Sequence, residues 1–252
     1  MLEELLRLNL FAFFLIFARI GTAIMFLPGF SVTYVSARFR LALALAISFV
    51  IFPVLAARFP VPPIALLDMG LMFVGEIIVG SFYGLILRVL ISSLQTAGTI
   101  ASLASSMANA LVQDPIAEQQ SSTISGFLLT IGVVLIFVTD MHHLMLRALL
   151  ETYAMFEPGQ PLPFGDFADT MGRQVADSFA LGLQMAAPFV VIGLTYYIGL
   201  GLLGRLMPQL PVFFFGLPLQ ITLQLFVFTM TLSGIMLAFV QTFEAKVYRF
   251  IP

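Results

Sequence analysis

Cysteine and tryptophan are both absent from the 252 residues, and charge is scarce, with 11 Lys and Arg against 13 Asp and Glu for a formal net charge of -2. Without cysteine there is no disulfide framework, no thiol nucleophile and no thiolate metal site. With only His142 and His143 available, a zinc site would need carboxylates for its remaining ligands, an uncommon composition for structural zinc. The basic residues are scattered and Lys246 is the single lysine, so the clustered cationic surface that nucleic acid requires is missing. Only 10% of residues are charged while 60% are hydrophobic. A soluble domain carries about a quarter charged residues, and a disordered chain needs low hydrophobicity and high net charge. A mean hydropathy of +1.07 makes the bilayer the natural solvent.

What is present is a succession of apolar runs, each near the ~20 residues that a helix needs to cross a hydrocarbon core. They lack the alternation of a transmembrane barrel, so they predict helices. The first spans about 9–28, interrupted by Arg19 and closed by the turn pair Pro28, Gly29. Glu3 and Glu4 stand where a signal peptide would be basic, so no cleavable signal is expected. Runs over about 41–57 and 64–88 follow, with Pro60, Pro62 and Pro63 between them.

Residues 92–110 are rich in Ser, Ala, Gly and Thr, with small side chains on two rows: Ser93, Ala97, Ala101, Ser105 and Gly98, Ser102, Ser106, Ala110. Such a segment either packs helices tightly or lines a narrow path. It leads into a polar connector through Met107, Asn109, Leu111, Val112, Gln113, Asp114 and Pro115, which needs bulk water or a protein-lined cavity. Apolar sequence resumes over about 124–138, a mixed stretch covers 140–155, and an acidic insert spans about 157–177, expected as a loop with a short amphipathic helix near 167–175. Two further runs, about 179–203 and 212–240, are separated by Arg205, Pro208 and Pro211. The expectation is one all-α membrane domain over 1–252 with about six to seven apolar helices. Lys and Arg in short loops place the Arg38, Arg40 connector and the Lys246, Arg249 end in the cytoplasm if the small-residue stretch counts as a crossing; counted as a re-entrant segment, it leaves the basic C-terminal end outside. No internal repeat points to an inverted-repeat transporter.

Ionisable residues inside apolar runs, each costing roughly 2.5–3.5 kcal/mol unless paired or wetted, are the first functional candidates. Arg19, Glu76 and Arg88 qualify. A proton relay is one option; an interhelical ion pair, or a snorkelling arginine in the case of Arg88, is the simpler one. Glu76, Gly80 and Gly84 follow at four-residue spacing, so a carboxylate and a close-packing seam share one face. Asp140, His143, Arg147 and Glu151 form a polar stripe at helical spacing, where Asp140 and His143 alone are too few for a metal. No HExxH and no G-x-S-x-G are present, so neither catalytic nor metal-binding residues are assigned and no cofactor is expected. The competing class is a proton-coupled or small-solute transporter using Glu76, Asp114 and Asp140.

Several strings add a resemblance. Arg19-Ile-Gly21 with Pro28-Gly29, Ser36-Ala-Arg38-Phe-Arg40, Gly75-Glu76 with Gly80 and Gly84, Asp114-Pro115, and Asp140-Met-His142-His143 with Arg147 and Glu151 occur in order. Near the end comes Gly204-Arg205-Leu-Met-Pro208-Gln209-Leu-Pro-Val-Phe-Phe-Phe-Gly216-Leu-Pro218. Together they resemble the flagellar FliR family, relatives of the virulence SctT proteins, over essentially the whole chain. Ser36 stands where that family often has Pro, and Pro211 where it often has Asn. The resemblance implies a subunit of the type III protein export gate in the bacterial inner membrane and flagellar basal body. It further implies helical hairpins wound into a hetero-oligomer with FliP and FliQ homologues, contact with FlhB, and passage of unfolded export substrates. Residues 105–120 would correspond to the channel plug, and the Arg205 to Pro218 turn would position the last helices.

Overall fold

The computed structural model describes residues 2–32, 34–60, 62–106, 123–207 and 212–251, and among these there is no strand. Seven helices follow in order: α1 (Leu2–Phe26), α2 (Ala37–Leu55), α3 (Leu66–Ala104), α4 (Thr123–Val138), α5 (Met141–Met155), α6 (Phe164–Leu206) and α7 (Val212–Tyr248). The protein is an all-α membrane protein. Among the described residues, four helices are long and apolar enough to cross a membrane, namely α2, α3, α6 and the Gly216–Tyr248 part of α7. A fifth crossing results if α4 and α5, which meet at a 76° bend, are one broken span. The apolar part of α1, Leu10–Phe26, is shorter than these.

Local chemistry sets most boundaries. Gly29 at φ 82° turns the chain after α1, a left-handed conformation that L-residues rarely adopt. Ser36 caps α2 by accepting from the Phe39 amide at 3.3 Å. Asp140, at φ 57°, makes the break between α4 and α5.

Two expectations are corrected. The 64–88 run and the small-residue stretch from 92 are one continuous helix, α3, of 39 residues. Nothing between them breaks a helix, and the hydroxyls of Thr96, Thr99 and Ser102 donate to carbonyls one turn back, which satisfies them inside the helix. The acidic insert is a loop only to residue 163; the helix expected near 167–175 is present, but it begins at Phe164 and continues into the next apolar run as α6. Phe167, Met171, Gln174 and Ser178 recur at helical spacing on the inward side, while Asp166, Asp169 and Asp177 are exposed. Asp169 pairs with Arg173 one turn on, and Pro163 suits the helix entry.

The described residues pack as two units. The first comprises Met1–Val89, Thr139–Gln174 and Glu244–Pro252, and the second Leu90–Val138 and Val175–Phe243. No composition shift marks the junctions within α3, α6 and α7, because they fall inside continuous helices. In the first unit, α1 buries Leu15, Ile16, Ile20 and Ile24, and Phe82 of α3 stacks on Phe167 at 4.1 Å between ring centroids. Gly80 and Gly84 bring α3 onto the α1 backbone: a β-carbon at Gly80 would run into the Arg19 carbonyl and Thr22 Oγ1, and one at Gly84 would lie 2.9 Å from the Ala23 carbonyl oxygen. In the second unit, Ser93, Ala97, Ala101 and Ser105 are buried, as are Gly98 and Ser102 of the other row. A β-carbon at Gly98 would collide with the backbone of Ser125 on α4. Here the small residues serve close helix packing.

Candidate functional site

The first unit carries a buried polar constellation, and the second a partly exposed one. In the first, Arg19 is 1% exposed and Glu76 3%. The Arg19 Nε donates to Glu76 Oε2 at 2.6 Å and Nη2 to Oε1 at 3.0 Å, a bidentate fork. The other guanidinium hydrogens go to the carbonyls of Thr152 (3.1 Å) and Phe156 (2.9 Å) and to Thr152 Oγ1 (3.4 Å). All five donors are therefore used. Thr152 and Phe156 lie in the last turn and at the C-cap of α5, the negative end of the helix dipole where a cation is favoured; the Thr152 carbonyl also accepts from the Phe156 amide. The Tyr153 ring lies 4.0 Å from the guanidinium carbon, adding a cation–π contact. Arg19 thus ties α1, α3 and the end of α5 together. A cleft of about 600 Å³, lined in part by Asp68, Met72, Glu76, Glu157 and Leu162, reaches this pair.

The second constellation sits where α3 ends. Ser106 has φ 58°, and its hydroxyl lies 2.7 Å from the Tyr197 hydroxyl and donates to Gln220 Oε1 at 3.3 Å. With the serine proton so engaged, Tyr197 is the donor of the shorter bond. Gln220 Nε2 donates to the Ala104 carbonyl at 3.0 Å, satisfying a terminal acceptor of α3. Gln224, one turn along α7, donates to the Phe189 carbonyl at 3.2 Å. Gln220 and Gln224 are 1% and 2% exposed. Ser105 and Ser106 begin the stretch singled out in the sequence; Met107, Asn109, Leu111, Val112, Gln113, Asp114 and Pro115 lie outside the described residues.

The remaining candidates are spread more widely. Arg88 is exposed on α3. Arg205 is exposed in the last turn of α6, Gly216 is buried with its carbonyl accepting from the Tyr196 hydroxyl, and Pro218 is exposed on α7; Pro208 lies outside the described residues. Asp140, His142 and His143 bring ligand atoms within 4.8 Å of one another, so His142 joins the pair the spacing suggested. No fourth acid or histidine joins them among the described residues, and Arg147, one turn on from His143, works against a cation.

The tyrosine, the two glutamines and the carbonyl partners of Arg19 carry no strong sequence signal. Backbone acceptors are invisible to sequence, and Gln220 and Gln224 are neutral, although two glutamines at i, i+4 in an apolar run apply the same logic as a buried charge.

Residues 10–245 match the family of bacterial export proteins, family 1. A flagellar biosynthetic protein FliR of Caulobacter vibrioides is 34% identical over 230 residues, covering 91% of this chain and 92% of its own. The FliR of Bacillus subtilis is 29% identical over 241 residues, covering 94% and 92%. That of Escherichia coli is 32% identical over 209 residues, covering 82% and 77%. With apolar membrane helices and this match along nearly its whole length, the chain belongs to the bacterial export proteins, family 1, as a FliR-type membrane component of the flagellar protein-export machinery.

Proposed function

We propose that this chain builds part of the gate of the flagellar type III export apparatus in the bacterial inner membrane. It assembles with FliP- and FliQ-type chains, contacts FlhB, and contributes to the channel through which unfolded flagellar proteins cross. Residues 105–120 act as a plug in that channel. The chain carries out no bond chemistry in this role, and the movement of cargo is driven by other components.

The observation that carries the proposal is the polar anchor at the end of α3. Ser106 is the last described residue before the polar connector, and it is held by Tyr197 of α6 and Gln220 of α7. A segment that must repeatedly close a narrow path needs a fixed point of departure, and a hydrogen-bond network rooted on the buried Gln220 and reaching the half-exposed Tyr197 supplies one. Below it the small-residue rows of α3 let neighbouring helices approach closely. Glu76 favours this role over a proton carrier, because both of its oxygens are engaged by Arg19.

Removing residues 107–113 while keeping Ser106 tests the plug. Cells carrying the assembled apparatus should leak small ions and solutes when export is idle. Unchanged conductance at wild-type levels of assembled apparatus would contradict a sealing role.

A further inference from the structure

α3 ends at Ala104, although nothing in the local sequence ends it. Neither glycine nor proline occurs between Gly98 and Pro115, and Met107, Ala108, Ala110, Leu111 and Gln113 are all good helix formers. By sequence the helix would run on to about residue 113, where Asp114 before Pro115 disfavours it. The stop comes at Ser106 instead, at φ 58°. Glycine or asparagine usually takes that left-handed position after a helix, because a β-carbon there is strained.

Side chains hold the break by taking the acceptors that further winding would use. In a longer helix the Ser102 carbonyl would receive the Ser106 amide, and the Ala104 carbonyl the amide of Ala108. Here the Ser105 hydroxyl donates to the Ser102 carbonyl at 3.1 Å, and Gln220 Nε2 of α7 to that of Ala104 at 3.0 Å. The Ser106 amide turns to the Leu103 carbonyl at 3.3 Å, while Tyr197 of α6 and Gln220 Oε1 fix its hydroxyl. Backbone bonds given up at the break are thus replaced by side-chain bonds, which leaves two arrangements of similar hydrogen-bond count. Gln224 Oε1, buried one turn along α7, has no hydrogen-bond partner among the described residues, so the network is incompletely satisfied in this arrangement.

We propose that the end of α3 is a two-state helix switch: Tyr197 and Gln220 hold Ser106 in the left-handed conformation that stops the helix, and release of Ser106 lets α3 wind on toward residue 113. Winding takes each residue from about 3.3 Å of extended chain to about 1.5 Å of helix. The consequence for the channel, that winding draws the start of the plug back toward α3, rests on the plug reading; the switch itself does not.

The test is a distance measurement by double electron–electron resonance on the full chain within its purified assembly. Because the chain has no cysteine, Thr99→Cys with Gln113→Cys carries the only two spin labels, and Thr99 is exposed on α3. A continuous helix separates the two positions by about 21 Å, at about 1.5 Å per residue. The wild type should show little of that distance, and Tyr197→Phe should raise its population about threefold, the effect of one lost hydrogen bond. Ser106→Ala and Ser106→Gly both remove the hydroxyl, but alanine favours the helix and glycine the left-handed break. The wound population should therefore be about tenfold or more greater in Ser106→Ala. Identical distributions in those two variants, or a wild type already at about 21 Å, would overturn the proposal. Resting leak of the same variants without labels separates the two claims. A larger wound population with unchanged leak supports the switch and counts against the plug reading, whereas added leak with no wound population overturns the switch alone.

Discussion

Arg19 and Glu76, 57 positions apart, meet at 2.6 Å in an interior where neither touches water appreciably. Taking one partner from such a pair strands the other charge, whereas taking both removes the desolvation penalty as well. Glu76→Ala should therefore lower stability in detergent by about 3–5 kcal/mol. Glu76→Gln should lose less, since an amide oxygen still accepts from the guanidinium. The double variant Arg19→Leu, Glu76→Leu should fall well short of the summed single losses, measured as a double-mutant cycle on thermal melting. In cells, neutralising Glu76 should reduce assembly; a protein that assembles normally but loses coupled transport would instead indicate a carrier.

The α1–α3 contact should be sensitive to single methyl groups. Gly80→Ala pushes a β-carbon into the Arg19 carbonyl and Thr22, and about 1–3 kcal/mol of overpacking is expected. Gly234→Ala on α7 meets nothing within 4 Å and should be neutral or stabilising by up to about 1 kcal/mol from helix propensity. Equal melting temperatures for the two variants would argue against the close approach.

At the anchor, Tyr197→Phe removes one hydrogen bond to Ser106, worth about 0.5–1.5 kcal/mol, and should barely change melting. Gln220→Leu strands the Ala104 carbonyl, while the Ser106 hydroxyl keeps its bond to Tyr197, and should cost about 1–3 kcal/mol. If the anchor fixes the plug, both variants raise resting leak, and the effect exceeds what their stability loss explains. Leak at wild-type level in both would separate the anchor from gating.

The first turns of α6 rest on Phe167 more than on charge. Phe167→Ala removes the ring stacked on Phe82 and edge-on to Phe156, and should speed amide exchange over residues 164–175. Asp169→Asn breaks only an exposed pair with Arg173, and a change within about 0.5 kcal/mol is expected. A larger effect from Asp169 than from Phe167 would invert this account of the helix start.

The helical class and the positions of α4 and α5 are legible in the sequence because Asp140 separates an apolar run from a mixed one. The continuity of α3 is not, since serine and threonine read as polar until their hydroxyls are seen bonded to their own helix. The amphipathic helix near 167–175 is legible from the spacing of Phe167, Met171 and Gln174, but its merger with the next apolar run into one helix is not, because the prolines and acids of the insert suggest a loop. Arg19 and Glu76 stand out as isolated charges in apolar runs. Thr152 and Phe156 do not, because their contribution is a backbone carbonyl.

Purification of the tagged full chain from its native membranes in mild detergent tests the central claim most directly. A gate subunit should arrive with FliP- and FliQ-type chains in a fixed ratio, and the Glu76→Ala variant should arrive with fewer. A homogeneous oligomer of this chain alone, stable and free of those partners, would contradict the account.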